Sequence, residues 1–312
     1  MRPMRTFAVS LLVLALAGCA SAPTTPVAQS APAPTAPAAR PPDNYQLDML
    51  NAVTWSRTSA EAEALYLQAY SMAKRSLDLA LADRTWTAAT EQVGTAFADL
   101  PPAVIVDIDE TVLDTSDYMI EQIRSGEPFA KASWNAYVQR ENAPPLPGAL
   151  DFLKYAASKG VTVYYVSNRE VAAGGYADEV EPTRRNLAKL QFPNTADTRT
   201  LLFRDAARGW KEKSPRRAEV AKTHRIVMMA GDNLYDFIDV AQATREKRDV
   251  AVEDHLAWLG TRWIVLPNPM YGSWESLLVG GEKGAAARKL KLESLGIPGP
   301  AADSIAQGGF EP

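Results

Sequence analysis

The sequence predicts an α/β fold built on a Rossmann-like parallel β-sheet that helices flank on both faces. Five short apolar runs rich in β-forming residues follow residue 100, at 103–106, 162–166, 200–203, 226–230 and 263–266. Helix-forming stretches, such as 147–159 and 214–223, lie between them. Unbroken apolar strands that alternate with helices are typical of a parallel sheet whose two faces are both buried.

Residues 1–18 are predicted to be a signal peptide. Arg2 and Arg5 precede an apolar run at 7–16, which is too short for a bilayer span of about 20 apolar residues. Leu16-Ala17-Gly18-Cys19 follows and resembles the bacterial lipobox, in which the cysteine is acylated and the chain is cut just before it. Cys19 is the only cysteine of the chain. This favours a lipobox over the alternative, a plain signal peptide followed by a chance cysteine.

The lipobox interpretation predicts a location in the cell envelope. Acylation of Cys19 would anchor the chain in a membrane, since each buried CH₂ contributes about 0.8 kcal/mol. Ala20 rather than aspartate follows the cysteine, so in a Gram-negative host we expect the outer membrane, facing the periplasm or the surface. With no second thiol the mature chain cannot form an internal disulfide, and its stability must come from its core.

Composition divides the remainder of the chain. Residues 19–43 are rich in alanine, proline, serine and threonine, which indicates a tether that holds a folded domain away from the membrane. The folded domain is predicted at 44–295, and the Gly/Pro/Ala-rich segment 296–312 is predicted to be a loose tail. The formal charge of −4 shows no basic bias, so a nucleic-acid polymer is not an expected partner.

The domain is predicted to open with a helical lead-in at 44–98. Ser59, with two glutamates just after it, is a suitable N-cap for a long helix at 60–81. We expect the buried stripe of that helix to pass through Leu65, Ala69, Met72, Ala73 and Leu77.

Polar residues end three of the five predicted strands. Asp107, Ser167 and Asp232 each follow an apolar run directly, and ligands of open parallel sheets bind at the carboxyl ends of the strands. Asp107 and Asp109 are two residues apart, so the first carboxylate can act as a nucleophile while the second transfers a proton. The pattern therefore predicts phosphate chemistry at one edge of the sheet.

Two motifs resemble those of a known family. Asp107-Ile108-Asp109-Glu110-Thr111 after an apolar strand is similar to the Asp-x-Asp-x-Thr motif of the haloacid dehalogenase (HAD) superfamily. With Tyr118 and with Gly231-Asp232-Asn233-Leu234-Tyr235-Asp236, it resembles the signature of class C acid phosphatases, which include outer-membrane lipoprotein 5′-nucleotidases. The resemblance covers about residues 50–280, including Trp55, Tyr66 and Tyr70 of the lead-in.

This resemblance implies roles for individual residues. Asp107 would attack phosphorus and become an aspartyl phosphate, and Asp109 would protonate the leaving alcohol and later activate water. Ser167 and Asn168 would bind the phosphoryl group. One Mg²⁺ would be held by the carboxylates of Asp107 and Asp232 and by the backbone carbonyl of Asp109, with Asp236 near it. Such a ligand set suits Mg²⁺, which binds few carboxylates and keeps several waters.

A lysine is needed to screen the repulsion between the nucleophile and a phosphate dianion. Lys211 and Lys213 are the candidates. The stretch from 213 to 217 resembles the family's Lys-x-x-Arg-Arg pattern and favours Lys213, with Ser214 as the N-cap and Pro215 as the first residue of a helix. The alternative is that both lysines are solvated surface charges.

Substrate selection is expected from a cap-like insert at 115–147 and from the segment after the fifth strand. The insert carries Phe129, Trp134 and Tyr137, and Tyr271 follows the strand. In the lipoprotein nucleotidases aromatic side chains sandwich the base or nicotinamide ring, and the resemblance assigns this role to Phe129, Trp134 and Tyr271. The alternative is that these rings belong to the core.

The sequence therefore predicts an Mg²⁺-dependent phosphomonoesterase for nucleoside 5′-monophosphates, including nicotinamide mononucleotide. A broad acid phosphatase or a phosphotransferase is the alternative within enzymes, because both use the same aspartyl phosphate. A surface ligand-binding lipoprotein, for haem for example, is disfavoured because His224 and His255 are the only histidines. The resemblance also suggests a homodimer.

Overall fold

The computed structural model of the chain describes residues 44–172, 174–240, 243–297 and 299–307, which belong to one compact unit. The signal peptide, Cys19 and the tether at 19–43 lie outside the described residues, so those assignments stay predictions. Within the described ranges, no helix combines the length and apolar character that crossing a membrane requires.

A five-stranded, all-parallel sheet forms the centre of the fold, with the strand order β3-β2-β1-β4-β5. This confirms the predicted α/β class. All five predicted strands are present, as β1 (Pro102–Val106), β2 (Thr162–Glu170), β3 (Leu201–Arg204), β4 (Arg225–Gly231) and β5 (Trp263–Val265).

Helices pack around this sheet. In chain order they are α1 (Leu50–Thr58), α2 (Ala60–Ala82), α3 (Ser116–Ser125), α4 (Lys131–Val138), α5 (Ala149–Ser158), α6 (Val180–Lys189), α7 (Lys213–Ala221), α8 (Arg245–Asp254), α9 (Ser273–Val279), α10 (Gly284–Ser294) and α11 (Gly299–Ala306). Single 3-10 turns lie at Tyr45–Met49, Thr90–Gln92, Thr198–Thr200, Leu234–Asp236 and Leu256–Trp258.

Strands β1 and β4 pair at the middle of the sheet, and their apolar side chains are buried on both faces. The Asp107 N–H donates to the carbonyl of Ala230 at 3.0 Å, so the ladder continues one residue beyond β1. Asp107 and Gly231 therefore leave the sheet side by side, which brings their loops together.

Strand β2 is longer than predicted. It continues through Ser167 to Glu170, with an irregularity in its pairing with β3 between these two residues. Ser167 was expected to follow the strand but lies within it and is fully buried. The apolar pattern stops at Val166 because the last three residues of the strand line the cavity rather than the core.

The helical lead-in is correct for residues 45–82, whereas much of 83–98 forms turns. Ser59 caps α2 as predicted, accepting a hydrogen bond from the Ala62 N–H at 3.0 Å. The predicted stripe is wrong at Leu65 and Met72, which are 41% and 38% exposed. Instead, the buried face includes Tyr66 and Tyr70, and this rotates the leucine and the methionine towards solvent.

The two tyrosines connect α2 to the loops at the carboxyl edge of the sheet. The Tyr70 hydroxyl donates to the Thr111 carbonyl at 2.6 Å, and the Tyr66 hydroxyl donates to the Pro267 carbonyl at 2.9 Å. Both tyrosines are fully buried. The lead-in is therefore part of the framework that holds these loops.

The segment after residue 296 was predicted to be loose, but its described part contains α11. Ala302 and Ala306 are one helical turn apart and fully buried, and Lys289 of α10 forms an ion pair with Asp303 at 2.6 Å. Small side chains on one face allow close helix packing, which a composition rich in glycine and alanine did not indicate.

Candidate active site

A cavity of about 1030 Å³ opens at the carboxyl edge of the sheet. Acidic side chains from the ends of β1 and β4 line one part of it, while aromatic and apolar side chains of the cap-like insert line another. Residues 45–49 and helix α10 complete the wall. The three predicted metal ligands that follow strands, Asp107, Asp232 and Asp236, all line this cavity.

Asp107 lies at the base of the cavity, directly after β1. Its Oδ1 is 2.6 Å from the Nζ of Lys213. Burial raises the pKa of Asp107 to about 7, with Lys213 opposing this shift and the charges of Asp236 and Asp109 adding to it. The carboxylate is therefore held in a place where its negative charge is costly unless cations neutralise it.

Lys213 is fully buried between two carboxylates, with its Nζ also 2.6 Å from Oδ1 of Asp236. Burial opposes its charge, but the attraction of Asp107 and Asp236 prevails, and the pKa of Lys213 is raised. Lys211, the other candidate, is exposed at the rim of the cavity. The structure thus places Lys213, not Lys211, beside the candidate nucleophile.

The helix that carries Lys213 begins earlier than predicted. Lys213 is the first residue of α7 and Glu212 occupies the N-cap position, so Ser214 and Pro215 are two residues further into the helix than expected. A β-region backbone at Glu212 starts the helix without a side-chain cap.

Asp232 and Asp236 follow β4. The Asp236 carboxylate accepts the Asn233 N–H at 2.9 Å and completes a capping box with Asn233, and the Asn268 amide donates to Asp232 at 2.8 Å. Gly231 is required here, because a Cβ atom on it would lie 2.2 Å from Oδ2 of Asp236.

The carboxylates of Asp107, Asp232 and Asp236 fit a divalent cation. They offer oxygen atoms that all lie within 4.8 Å of one another. Burial, followed by the charges of Asp236 and Asp107, raises the pKa of Asp232 well above its usual range. When all three carboxylates are ionised, one lysine leaves two of their negative charges uncompensated, and carboxylate oxygens are ligands that Mg²⁺ prefers.

Asp109 lines the same cavity, but its carboxylate is held by Arg169 rather than grouped with the other three. Nη2 of Arg169 lies 2.7 Å from Oδ1 of Asp109, and Nε contacts both carboxylate oxygens. The contact involves only the side chain of Asp109. Its backbone carbonyl, which the resemblance assigns to the metal, takes no part in it.

Ser167 and Asn168 take different positions. Asn168 lines the cavity, while Ser167 does not, and the Ser167 hydroxyl accepts the Arg169 N–H at 3.1 Å. Buried Arg216 holds this segment by donating to the Ser167 carbonyl and, at 2.8 Å, to the Asn168 side chain. Burial, with the nearby charge of Arg204, lowers the pKa of Arg216 to about 10.

The aromatic residues that were predicted to bind a ring differ in accessibility. Phe129 is 56% exposed and Tyr271 is half-buried, and both line the cavity. Trp134 also lines it but is only 9% exposed, and its ring stacks on Tyr137 with centroids 5.5 Å apart. Tyr137 is buried in the same aromatic cluster, in agreement with the alternative prediction that these rings belong to the core.

Glu110 does not line the cavity, but it supports Tyr271, which does, and sequence reasoning missed this role. It adopts a left-handed backbone with φ of 51°, and its fully buried carboxylate accepts hydrogen bonds from Thr115 and from the Tyr271 hydroxyl. Burial, with the charges of Asp109 and Asp232, raises the pKa of Glu110 well above its usual range. Its place inside the Asp-x-Asp-x-Thr stretch was the only available signal.

The two histidines lie away from the cavity. Nδ1 of His224 is within 3.2 Å of the Tyr164 hydroxyl and 2.9 Å of the Thr223 hydroxyl. The His255 ring stacks on Trp263 with centroids 4.6 Å apart. Both are therefore engaged in packing, as expected for structural histidines.

Comparison with known proteins agrees with this geometry. Residues 14–274 match the family model of the HAD superfamily, subfamily IIIB, which is described as acid phosphatase. The structure is similar to that of the class C acid phosphatase from Bacillus anthracis, with 34% sequence identity and a TM-score of 0.70. A structure of the class C acid phosphatase from the same organism with tungstate bound gives 33% identity and a TM-score of 0.69. In both comparisons the match covers 80% of this chain and 98% of the other.

A matched family model over most of the chain, a shared fold at more than 30% identity and a carboxylate-lined cavity lead to one conclusion. The chain belongs to the acid phosphatases of the HAD superfamily, in its class C group, and it is a phosphomonoesterase.

Proposed function

We propose that this acid phosphatase hydrolyses nucleoside 5′-monophosphates, with Asp107 as the nucleophile and Mg²⁺ as its cation, at the cell envelope. One observation carries the proposal. A single cavity joins the carboxylate and lysine cluster around Asp107 to the aromatic side chains Phe129 and Tyr271. A phosphoryl group and a flat ring on the same substrate can therefore be bound together.

The reaction begins with attack by an Asp107 oxygen on phosphorus. The bond between phosphorus and the leaving oxygen breaks, and Asp109 gives its proton to that oxygen. Water then attacks the aspartyl phosphate while Asp109 accepts a proton, which releases phosphate and restores Asp107. The position of Asp109, two residues after Asp107 and lining the same cavity, supports this role.

The surrounding side chains reduce the repulsion between Asp107 and the phosphoryl group. Lys213 faces Asp107 at 2.6 Å and is held there by Asp236. Asn168 offers an amide, and its position is fixed by Arg216. A bound divalent cation would supply further positive charge at the carboxylates of Asp107 and Asp232.

The aromatic wall supports a substrate with a flat ring. Phe129 is exposed to the cavity, and the Tyr271 ring is fixed through its hydroxyl, which donates to Glu110. Stacking on aromatic side chains contributes about 1–3 kcal/mol per base and tolerates different bases. Nicotinamide mononucleotide has a ring of the same kind. This wall favours nucleotides over phosphate esters in general.

The location and the assembly of the enzyme complete the proposal. An acylated Cys19 followed by the tether at 19–43 would hold the domain at a membrane, where it can remove phosphate from nucleotides so that the nucleoside can be imported. The homodimer that the resemblance suggests is part of the same proposal.

Asp107→Asn is expected to abolish turnover and to leave the fold intact. The amide has the size of the carboxylate but is not a nucleophile, so no aspartyl phosphate can form. Initial rates with a nucleotide and with an aryl phosphate measure the loss, and circular dichroism checks the fold. Activity that persists after deamidation back to aspartate has been excluded by mass spectrometry would refute the assignment of the nucleophile.

Asp232→Asn should raise the Mg²⁺ concentration needed for half-maximal activity by at least about 10-fold, since even an outer-sphere partner of a metal contributes 10- to 100-fold. In the wild type, Mg²⁺ at 100 times its Kd should add about 2.7 kcal/mol to the free energy of unfolding. Thermal melts after chelator treatment measure this stabilisation, and exposed Asp151→Asn is the control. Equal responses of the two variants would contradict the metal site.

Tyr271→Ala should lower kcat/KM for a nucleoside monophosphate by about 5- to 150-fold, which corresponds to the loss of 1–3 kcal/mol of stacking. Glycerol phosphate has no ring and should be hydrolysed almost as before. Tyr176→Ala, outside the cavity, is the matched control. An equal loss on both substrates would assign Tyr271 to the fold or to the metal site. No loss on either would favour the broad acid phosphatase.

Cys19→Ser should leave the protein without acyl chains and move it from the membrane fraction to the soluble fraction. Anchoring requires the cysteine sulfur, and a serine in its place is not acylated. Fractionation followed by immunoblotting measures the distribution, and mass spectrometry detects the acyl chains. Unchanged membrane association of the variant would show that the lipobox assignment is wrong.

A further inference from the structure

We propose that Arg169 is a positioning residue that orients the Asp109 carboxyl group for proton transfer, and that Trp134 supports Arg169 rather than the substrate ring. The inference rests on the proposed role of Asp109 and adds two residues to it. Arg169 and Trp134 line the same cavity as Asp109. They form a continuous path from the cap-like insert to the acid.

The contact between Arg169 and Asp109 is unsymmetrical. Oδ1 of Asp109 accepts from Nη2 at 2.7 Å and from Nε at 3.1 Å, while Oδ2 accepts from Nε alone at 3.2 Å. Because the guanidinium is planar and rigid, this contact fixes the plane of the carboxyl group. Oδ2 is then the oxygen with room for a proton.

Arg169 is itself held in place. Its side chain is 3% exposed, its Nη1 donates to the Thr183 hydroxyl at 2.8 Å, and Thr183 donates to the Glu179 carbonyl at 2.5 Å. Asp109 is the carboxylate with which Arg169 forms its ion pair among the described residues. A cation that is buried and supported in this way has little freedom to move towards another partner.

Trp134 contributes the remaining support. The guanidinium carbon of Arg169 lies 5.5 Å from the centre of its ring, within the range of a cation–π contact. Tyr137 stacks on the same indole, and Tyr118 meets it edge-on with centroids 5.1 Å apart. With the ring in contact with these neighbours and 9% exposed, little of its surface remains for a nucleobase.

The chemical consequence concerns the first step. As Asp107 attacks, the proton on Asp109 Oδ2 moves to the leaving oxygen, and negative charge develops on the Asp109 carboxylate. Arg169 faces that carboxylate, so its attraction is stronger in the transition state than before the transfer. The contribution should matter most for a leaving group that needs the proton, such as an alkoxide or an unsubstituted phenoxide.

A series of substituted phenyl phosphates tests this inference, because ring and phosphate stay constant while the basicity of the leaving oxygen changes. Arg169→Lys keeps the charge but loses the planar two-point contact. We expect kcat/KM to fall about 10- to 100-fold for phenyl phosphate but less than about threefold for 4-nitrophenyl phosphate, since general acid catalysis supplies 10²- to 10⁴-fold. Arg184→Lys, in an ion pair with Glu181 on α6, is the matched control.

Two further variants keep the inference testable if Arg169→Lys does not fold. Thr183→Val removes one hydrogen bond from Arg169 and should give a smaller loss with the same dependence on the leaving group. Trp134→Leu should reduce kcat/KM equally for glycerol phosphate and for a nucleoside monophosphate, unlike Tyr271→Ala. A loss of kcat/KM for the nucleoside monophosphate alone would show that Trp134 binds the substrate ring and would refute its supporting role.

The reference variant is Asp109→Asn, which should show the strongest dependence on the leaving group. If Asp109→Asn shows the dependence and Arg169→Lys loses activity equally across the series, or not at all, the role assigned to Arg169 is wrong. If the loss of kcat/KM in Asp109→Asn does not depend on the leaving group, the role of Asp109 in the proposed function is wrong. The role inferred for Arg169 is then wrong as well.

Discussion

Repulsion among buried carboxylates is the constraint on which this active site depends. Asp107, Asp232 and Asp236 present oxygens within 4.8 Å of one another at the edge of a buried sheet, and Lys213 is the cation that joins two of them. Like charges at such distances are unfavourable without compensation. The fold holds them together through two central strands and a capping box after β4. Gly231 contributes as well, because it has no side chain and so leaves room for Asp236.

The same constraint explains the layer of side chains around the carboxylates. Arg169 contacts the carboxyl group of Asp109, Arg216 holds the end of β2, and the hydroxyls of Thr115 and Tyr271 donate to Glu110. For Glu110 these hydrogen bonds satisfy a buried carboxylate that would otherwise carry a large desolvation cost. They also set the orientation of the residues that face the cavity. Stability and function therefore rest on the same hydrogen bonds.

Parts of the chain outside the sheet form the aromatic side of the cavity. The cap-like insert supplies Phe129, the segment after β5 supplies Tyr271, and α10 with residues 45–49 closes the wall. Arg288 of α10 forms an ion pair with Asp48 at 2.6 Å, which joins the two ends of the domain at the cavity. The carboxylate side of the cavity thus belongs to the sheet, and its aromatic side belongs to the insertions.

The sequence by itself determined the α/β class, the five strands, the family and the candidates at the strand ends, because strand periodicity and short motifs are local properties. It did not determine the buried face of α2, the helix α11 or the extension of β2 through Ser167. The short motif at 213–217 also favoured Lys213 over Lys211, and the tertiary structure places Lys213 beside Asp107. Only the tertiary structure joined Arg169 to Asp109 and Glu110 to Tyr271, and enclosed Trp134 among other rings. Arg169 and Asp109 are 60 residues apart in the sequence, and Tyr271 and Glu110 are 161 residues apart. Contacts at such separations follow from packing, which no local pattern encodes.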